Sequence, residues 1–68
     1  MVNTLIDALA KAKEAMGELY DAYESVAFEE FKNGRHDVSK YYINQANELL
    51  AVLITVDNEF QKLTSEES

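Results

Sequence analysis

The side chains of this 68-residue chain that could take part in acid–base or metal chemistry are one histidine and a few carboxylates. His36 is followed directly by Asp37, an arrangement that a general base or a pH switch can use. Glu14, Glu18 and Asp21 follow one another at steps of four and three, so a helix would place them on one face. Catalysis or metal binding would still need further groups at matching positions.

Those further groups are missing from the sequence. A carboxylate-bridged di-iron site in a helical bundle uses Glu-x-x-His, but the residue three before His36 is Asn33. No Ser lies in a recognisable nucleophile pattern with His36, and there is no Cys. Glycine-rich phosphate loops are absent too. We therefore expect no enzyme: no catalytic residue, no metal and no cofactor, with the histidine in an exposed turn and the carboxylates on a solvated face.

The charge balance excludes some classes of partner. The chain has 13 acidic and 6 basic residues, a net charge of −7, and no Lys or Arg lies at 41–61. Nucleic acids and anionic membranes require a basic patch, which these scattered residues cannot build. The apolar run LLAVLITV at 49–56 is shorter than the roughly 20 residues that span a bilayer. With no signal-peptide pattern at the start, we expect a cytoplasmic protein that binds neither nucleic acid nor membrane.

The elements that carry these side chains are predicted to be two helices, because the chain lacks proline and is rich in strong helix formers. Thr4 fits a helix cap, Gly34 a helix stop, and Asp37 the cap of the following helix. The predicted single domain has a helix at about 4–33, a turn at 34–36, a helix at about 37–63 and a polar tail at 64–68.

Both predicted helices carry an apolar seam with alternating steps of four and three, as in a coiled coil. The seam of the first helix consists of Leu5, Leu9, Ala12, Met16, Leu19, Tyr23 and Val26. That of the second consists of Tyr42, Ala46, Leu49, Leu53, Val56, Phe60 and Leu63. The two lists match in reverse order, which predicts an all-α fold: an antiparallel two-helix hairpin, completed by a partner or as a dimeric four-helix bundle.

More apolar surface is present than one hairpin can bury. Residues 49–56 cover an arc of about 200°, whereas packing against one helix takes a stripe of about 100°. Large residues off the seam are therefore expected to contact another helical protein or a second copy of the chain, and both remain open. The predicted partner-binding residues are Tyr20, Phe28, Phe31, Ile43, Leu50 and Ile54.

Two resemblances bear on the partner. The segment FKNGRHDVSKYYINQANEL (31–49) resembles the middle of a tetratricopeptide repeat, with Gly34 near the inter-helix turn and Ser39, Tyr42 and Ala46 following it. The segment NGRHDVSKYYINQANELLAVLITV, and the hairpin architecture as a whole, resemble the small co-chaperones of type III secretion needle subunits. The second resemblance implies that the chain binds a tetratricopeptide-like chaperone and that the two together keep a needle subunit from polymerising early.

Two other functions fit the same residues. The acidic side chains could occupy a basic cleft, as in the small inhibitors that mobile elements direct against nucleic-acid-handling proteins. The acids concerned would be Glu14, Glu18, Asp21, Glu24, Glu29 and Glu30. Alternatively, the chain could act as a self-associating homodimeric regulator that uses the partner-binding surface for itself.

Overall fold

The two helices form an antiparallel hairpin about 50 Å long and 15 Å across. In the computed structural model, which describes residues 2–67, α1 spans Val2–Lys32 and α2 spans His36–Glu67. The helices pack against each other along the hairpin. This confirms the predicted all-α hairpin.

The turn between the helices is closed by a Schellman motif. Gly34 has φ +79°, its N–H donates to Phe31 O at 3.0 Å, and Arg35 N–H donates to Glu30 O at 2.8 Å. This satisfies carbonyls that the end of a helix leaves without partners. The same Arg35 and Glu30 also pair through their side chains, including Nη2 to Oε1 at 2.9 Å. An ion pair thus occupies the two positions that are often apolar in this motif.

The predicted starts of both helices differ from the structure. α1 already includes residues 2 and 3, so Thr4 lies inside the helix and does not cap it. α2 begins one residue before Asp37, and Ser39 N–H donates to Arg35 O at 3.0 Å, so Arg35 occupies the cap position. Asp37 instead lies in the first turn, where its carboxylate favours the positive end of the helix dipole.

The predicted polar tail is helical as far as residue 67, and residue 68 lies outside the described part of the chain. Thr64 Oγ1 donates to the carbonyl oxygens of Phe60 and Gln61, both at 3.0 Å. Local side-chain bonds of this kind satisfy a hydroxyl without ending the helix.

The predicted seam is correct in α2 but shifted in part of α1. Every predicted α2 seam residue is buried or half-buried, whereas Leu5, Leu19 and Val26 of α1 remain 41–47% exposed. The buried and half-buried positions of α1 at seam spacing are Ile6, Leu9, Lys13, Met16, Tyr20, Tyr23, Ala27 and Glu30. Leu5, Leu19 and Val26 therefore lie beside the seam, and the residue that follows each of them lies at it.

Close packing near the turn accounts for this shift. Among the residues whose side chains the structure describes, only Ala27, Ser39 and Ala46 are buried, and each is 3% exposed. Ser39 Oγ donates to Ala27 O at 2.7 Å, which joins the helices directly. Small residues let two helices approach closely, and Val26 in place of Ala27 would hold them apart. The same approach brings the rings of Tyr23 and Tyr42 into a stacked contact with centroids 6.1 Å apart.

Candidate functional site

An open groove of about 260 Å³ lies between the helices beside the turn. It is lined by Glu24, Ala27, Phe28, Phe31, Ser39 and Ile43. Three of these, Phe28, Phe31 and Ile43, were predicted to bind a partner, and their side chains are 48–62% exposed. The structure therefore brings half of the predicted residues together on one surface, with contributions from both helices.

The two phenylalanine rings of the groove are each supported by a neighbouring side chain. The imidazole of His36 stacks on Phe31 with centroids 4.6 Å apart and planes 18° from parallel. Lys32 Nζ lies 5.2 Å from the centroid of the Phe28 ring, within cation–π range. His36, the predicted exposed turn residue, thus lies exposed at the start of α2 and holds one wall of the groove.

Two further predicted residues continue this surface along α2. Leu50 and Ile54 follow Ile43 by seven and eleven residues, so they lie on the same side of the helix. Both are exposed, Ile54 by 54%. We call the surface formed by Phe28, Phe31, Ile43, Leu50 and Ile54 the groove face.

Tyr20, the sixth predicted residue, is placed differently. It was expected off the seam, but its half-buried side chain falls at seam spacing in α1. The Glu24 carboxylate, one turn further along, raises the pKa of the Tyr20 hydroxyl through its charge and a hydrogen bond. Tyr20 therefore lies next to the groove through Glu24 and does not line it.

An acidic row runs along the α1 side of the groove face. Glu24 lines the groove itself, and Asp7, Glu14 and Asp21 precede Phe28 at intervals of seven residues, all exposed. Residues at this interval share one side of a helix in a coiled-coil pair. The apolar residues of the groove face are thus bordered on the α1 side by a row of carboxylates.

One ion pair at the inter-helix seam was not anticipated. Lys13 Nζ lies 2.5 Å from Asp57 Oδ1 and 4.3 Å from the centroid of the Phe60 ring. The stem of a lysine can cover apolar surface while its charge stays partly solvated. The signal in the sequence was the position of Lys13, seven residues after Ile6 and seven before Tyr20.

A second apolar surface lies on the other flank of α1, and sequence reasoning assigned part of it to the seam. We call it the α1 stripe, and its residues follow alternating steps of three and four. It consists of Leu5, Ala8, Ala12, Ala15, Leu19, Ala22 and Val26. The signal for it was a pair of offset apolar heptad rows in α1, only one of which can face α2.

Glu14, Glu18 and Asp21, the carboxylates predicted to lie on a solvated face, are all exposed. Among the side chains that the structure describes, at residues 3–66, no three His, Cys, Asp or Glu are arranged to hold a metal ion. Neither helix in that range contains a stretch long and apolar enough to cross a membrane.

Comparisons with protein-family models, with curated proteins and with solved structures find no match for this chain. The two resemblances in the sequence are therefore supported only in their architecture, a hairpin of two helices. The exposed apolar faces indicate an interaction surface.

Proposed function

We propose that this chain is a non-enzymatic interaction module whose groove face binds a basic amphipathic helix of another protein. The observation that carries the proposal is the groove itself, where Phe28, Phe31 and Ile43 stand exposed around a shared depression. Binding of an amphipathic helix in an apolar groove is a common mode of recognition, read by anchors one and two turns apart.

Apolar burial would supply most of the affinity. Burying apolar surface is worth about 25 cal/mol per Å², and aromatic side chains that fill a groove are frequent energetic hot spots. The Phe28 and Phe31 rings are held by Lys32 and His36 before any partner arrives. Less side-chain entropy is then lost on binding.

The acidic row defines the charge of the partner. Asp7, Glu14, Asp21 and Glu24 border the apolar row, so a helix with Lys or Arg beside its apolar stripe would be complementary. Two copies meeting through this face would instead bring the carboxylate rows together, and like charges across an interface oppose association. The groove face therefore favours a different protein over a second copy.

A co-chaperone that binds a tetratricopeptide-like helical chaperone, as the resemblance to secretion co-chaperones implies, would be one form of this function. The second candidate, an acidic inhibitor in a basic cleft, is favoured by the same carboxylate row. The two differ in which contacts matter, since the first depends on the apolar side chains of the groove face and the second on charge alone.

Two double variants with matched exposure test the proposal. Ile43→Ser with Ile54→Ser removes apolar side chains from the groove face, and Val38→Ser with Val52→Ser removes similarly exposed ones from the opposite flank of α2. The probe is a synthetic helical peptide of leucine and lysine, with affinity measured by calorimetry and helicity by circular dichroism. We expect the first pair to weaken binding by about tenfold or more and the second to change it little.

Equal losses in both double variants would contradict the groove assignment. Binding that ignores both variants but disappears with added salt would replace it with the inhibitor mechanism, because only exposed charge pairs are screened in this way.

A further inference from the structure

We infer that the α1 stripe is the interface of a homodimer, in which α1 of one copy packs antiparallel against α1 of a second copy. This inference concerns a different surface from the groove face and does not depend on the function proposed for it. It rests on three properties of the described residues: the area left exposed, the absence of charge on the stripe, and the side chains that border it.

The exposed area is larger than a compact chain of this mass should have. The surface is 5011 Å² for 7.7 kDa, whereas the general relation between mass and surface gives about 4,300 Å². A compact body of two chains would expose about 7,200 Å², roughly 2,800 Å² less than two separate hairpins. Obligate homodimers bury about 2,000–5,000 Å² in total. The area that a compact dimer would bury therefore lies within the range of obligate homodimers.

The α1 stripe carries no charge over its whole length, which suits a second copy of itself. Leu5, Leu19 and Val26 are each more than two-fifths exposed, and the alanines at 8, 15 and 22 are exposed between them. The corresponding flank of α2 contains Glu48 and Glu59. Packing α1 against α2 of the second copy would bury those carboxylates against apolar surface, which is costly. Packing α1 against α1 avoids this.

An antiparallel arrangement fits the shapes of the side chains. The stripe has two rows of residues at intervals of seven: Leu5, Ala12, Leu19 and Val26 form one, and Ala8, Ala15 and Ala22 form the other. When one helix is reversed, each row lies opposite the other row of the second copy. A leucine of one copy then meets an alanine of the other: Leu5 opposite Ala22, Leu19 opposite Ala8, with Ala12 opposite Ala15. Large residues facing small ones pack without voids.

The charges at the border of the stripe agree with the same register. Lys11 and Glu18 are exposed and lie seven residues apart beside the stripe. When Leu5 lies opposite Ala22, Lys11 of each copy lies beside Glu18 of the other, which gives two symmetry-related pairs of opposite charge. A two-fold interface repeats each contact in this way.

Two alanine variants of α1 test the interface. Ala15→Asp introduces a carboxylate at the middle of the stripe, whereas Ala10→Asp makes the same change at an exposed alanine outside it. Sedimentation equilibrium over a wide range of concentration should give twice 7.7 kDa for the unaltered chain. The Ala10→Asp variant should also be dimeric, and Ala15→Asp should be monomeric at the same concentrations. A monomeric unaltered chain, or equal effects of the two variants, would overturn the inference.

Charge reversal tests the register in proteins whose stripe is intact. Lys11→Glu and Glu18→Lys alone should each weaken dimerisation by about tenfold, because two pairs per dimer become repulsive. The two changes together should restore it. Failure of the double variant to recover would refute the antiparallel register. Dimerisation that is lost in Ile43→Ser with Ile54→Ser and kept in Ala15→Asp would assign the interface to the groove face instead.

Discussion

Substitution by alanine should have opposite effects on stability at the two glycines of the chain. At both Gly17 and Gly34, a Cβ atom would meet nothing within 4 Å, so replacement by alanine creates no clash in either place. The backbone differs, because Gly34 has φ +79° and Gly17 lies inside α1 with no positive φ. Any effect on stability must therefore come from the backbone conformation.

The expected changes follow from helix propensity and chirality. Alanine inside a helix is more favourable than glycine by about 0.8–1.0 kcal/mol, so Gly17→Ala should raise the free energy of unfolding by about 1 kcal/mol. An L-residue in the left-handed conformation costs about 1–2 kcal/mol, so Gly34→Ala should lower the free energy of unfolding by about that amount. In a domain of this size, about 1 kcal/mol shifts the melting temperature by about 4–8 °C.

The assay is thermal and urea denaturation followed by circular dichroism, at one fixed protein concentration because association raises apparent stability. Gly34→Asn serves as a control, since asparagine tolerates the left-handed conformation better than alanine and should lose less stability. Stabilisation by Gly34→Ala, or destabilisation by Gly17→Ala, would refute the assignment of these two conformations.

Three further predictions concern polar contacts. Ser39→Ala should lower the free energy of unfolding by about 1 kcal/mol by removing its buried hydrogen bond, as measured by urea denaturation; no loss would show that the bond is not stabilising. A double-mutant cycle of Lys13→Met and Asp57→Asn should give a coupling of about 0.2–1 kcal/mol that falls with added salt; zero coupling at low salt would contradict the ion pair. Because the hydrogen bond from Arg35 lowers the pKa of Glu30, the unfolded chain takes up this proton at higher pH. The stability from this pair is then present above the ordinary glutamate pKa of 4.5 and is lost as the pH falls below it. The melting temperature of the Glu30→Gln variant should therefore fall less steeply with acid than that of the unaltered chain. An equally steep fall would refute this.

Most of the fold could be predicted from the sequence because its signals are local. The 3-4 spacing, the absence of proline and the Asn33–Gly34 pair depend only on neighbouring residues, and they indicate two helices and one turn. The helix ends were less predictable. Thr4 and Asp37 fit capping preferences, but a helix can continue past a good cap residue when the next turn also packs or forms hydrogen bonds. At the other end of α2, the helix likewise continues past Thr64, whose hydroxyl donates to a carbonyl oxygen of the preceding turn.

The candidate site was predicted only in part, for a different reason. Phe28, Phe31 and Ile43 were identified as surplus apolar residues, but nothing local indicated that they would line one groove with Glu24. Tyr20 was predicted to bind a partner in the same way, but it lies at the seam. The difference depends on how far α1 is rotated about its own axis relative to α2, which is a long-range property.

By itself, then, the sequence determined two amphipathic helices, their antiparallel order, the acidic charge and a surplus of apolar surface. Only the tertiary structure decided which of two offset heptad rows of α1 faces α2. Close packing of Ala27 against Ser39 near the turn selects that rotation, because a larger residue there would separate the helices. This one choice leaves Leu5, Leu19 and Val26 outside the core and separates the surface into a groove face and an α1 stripe.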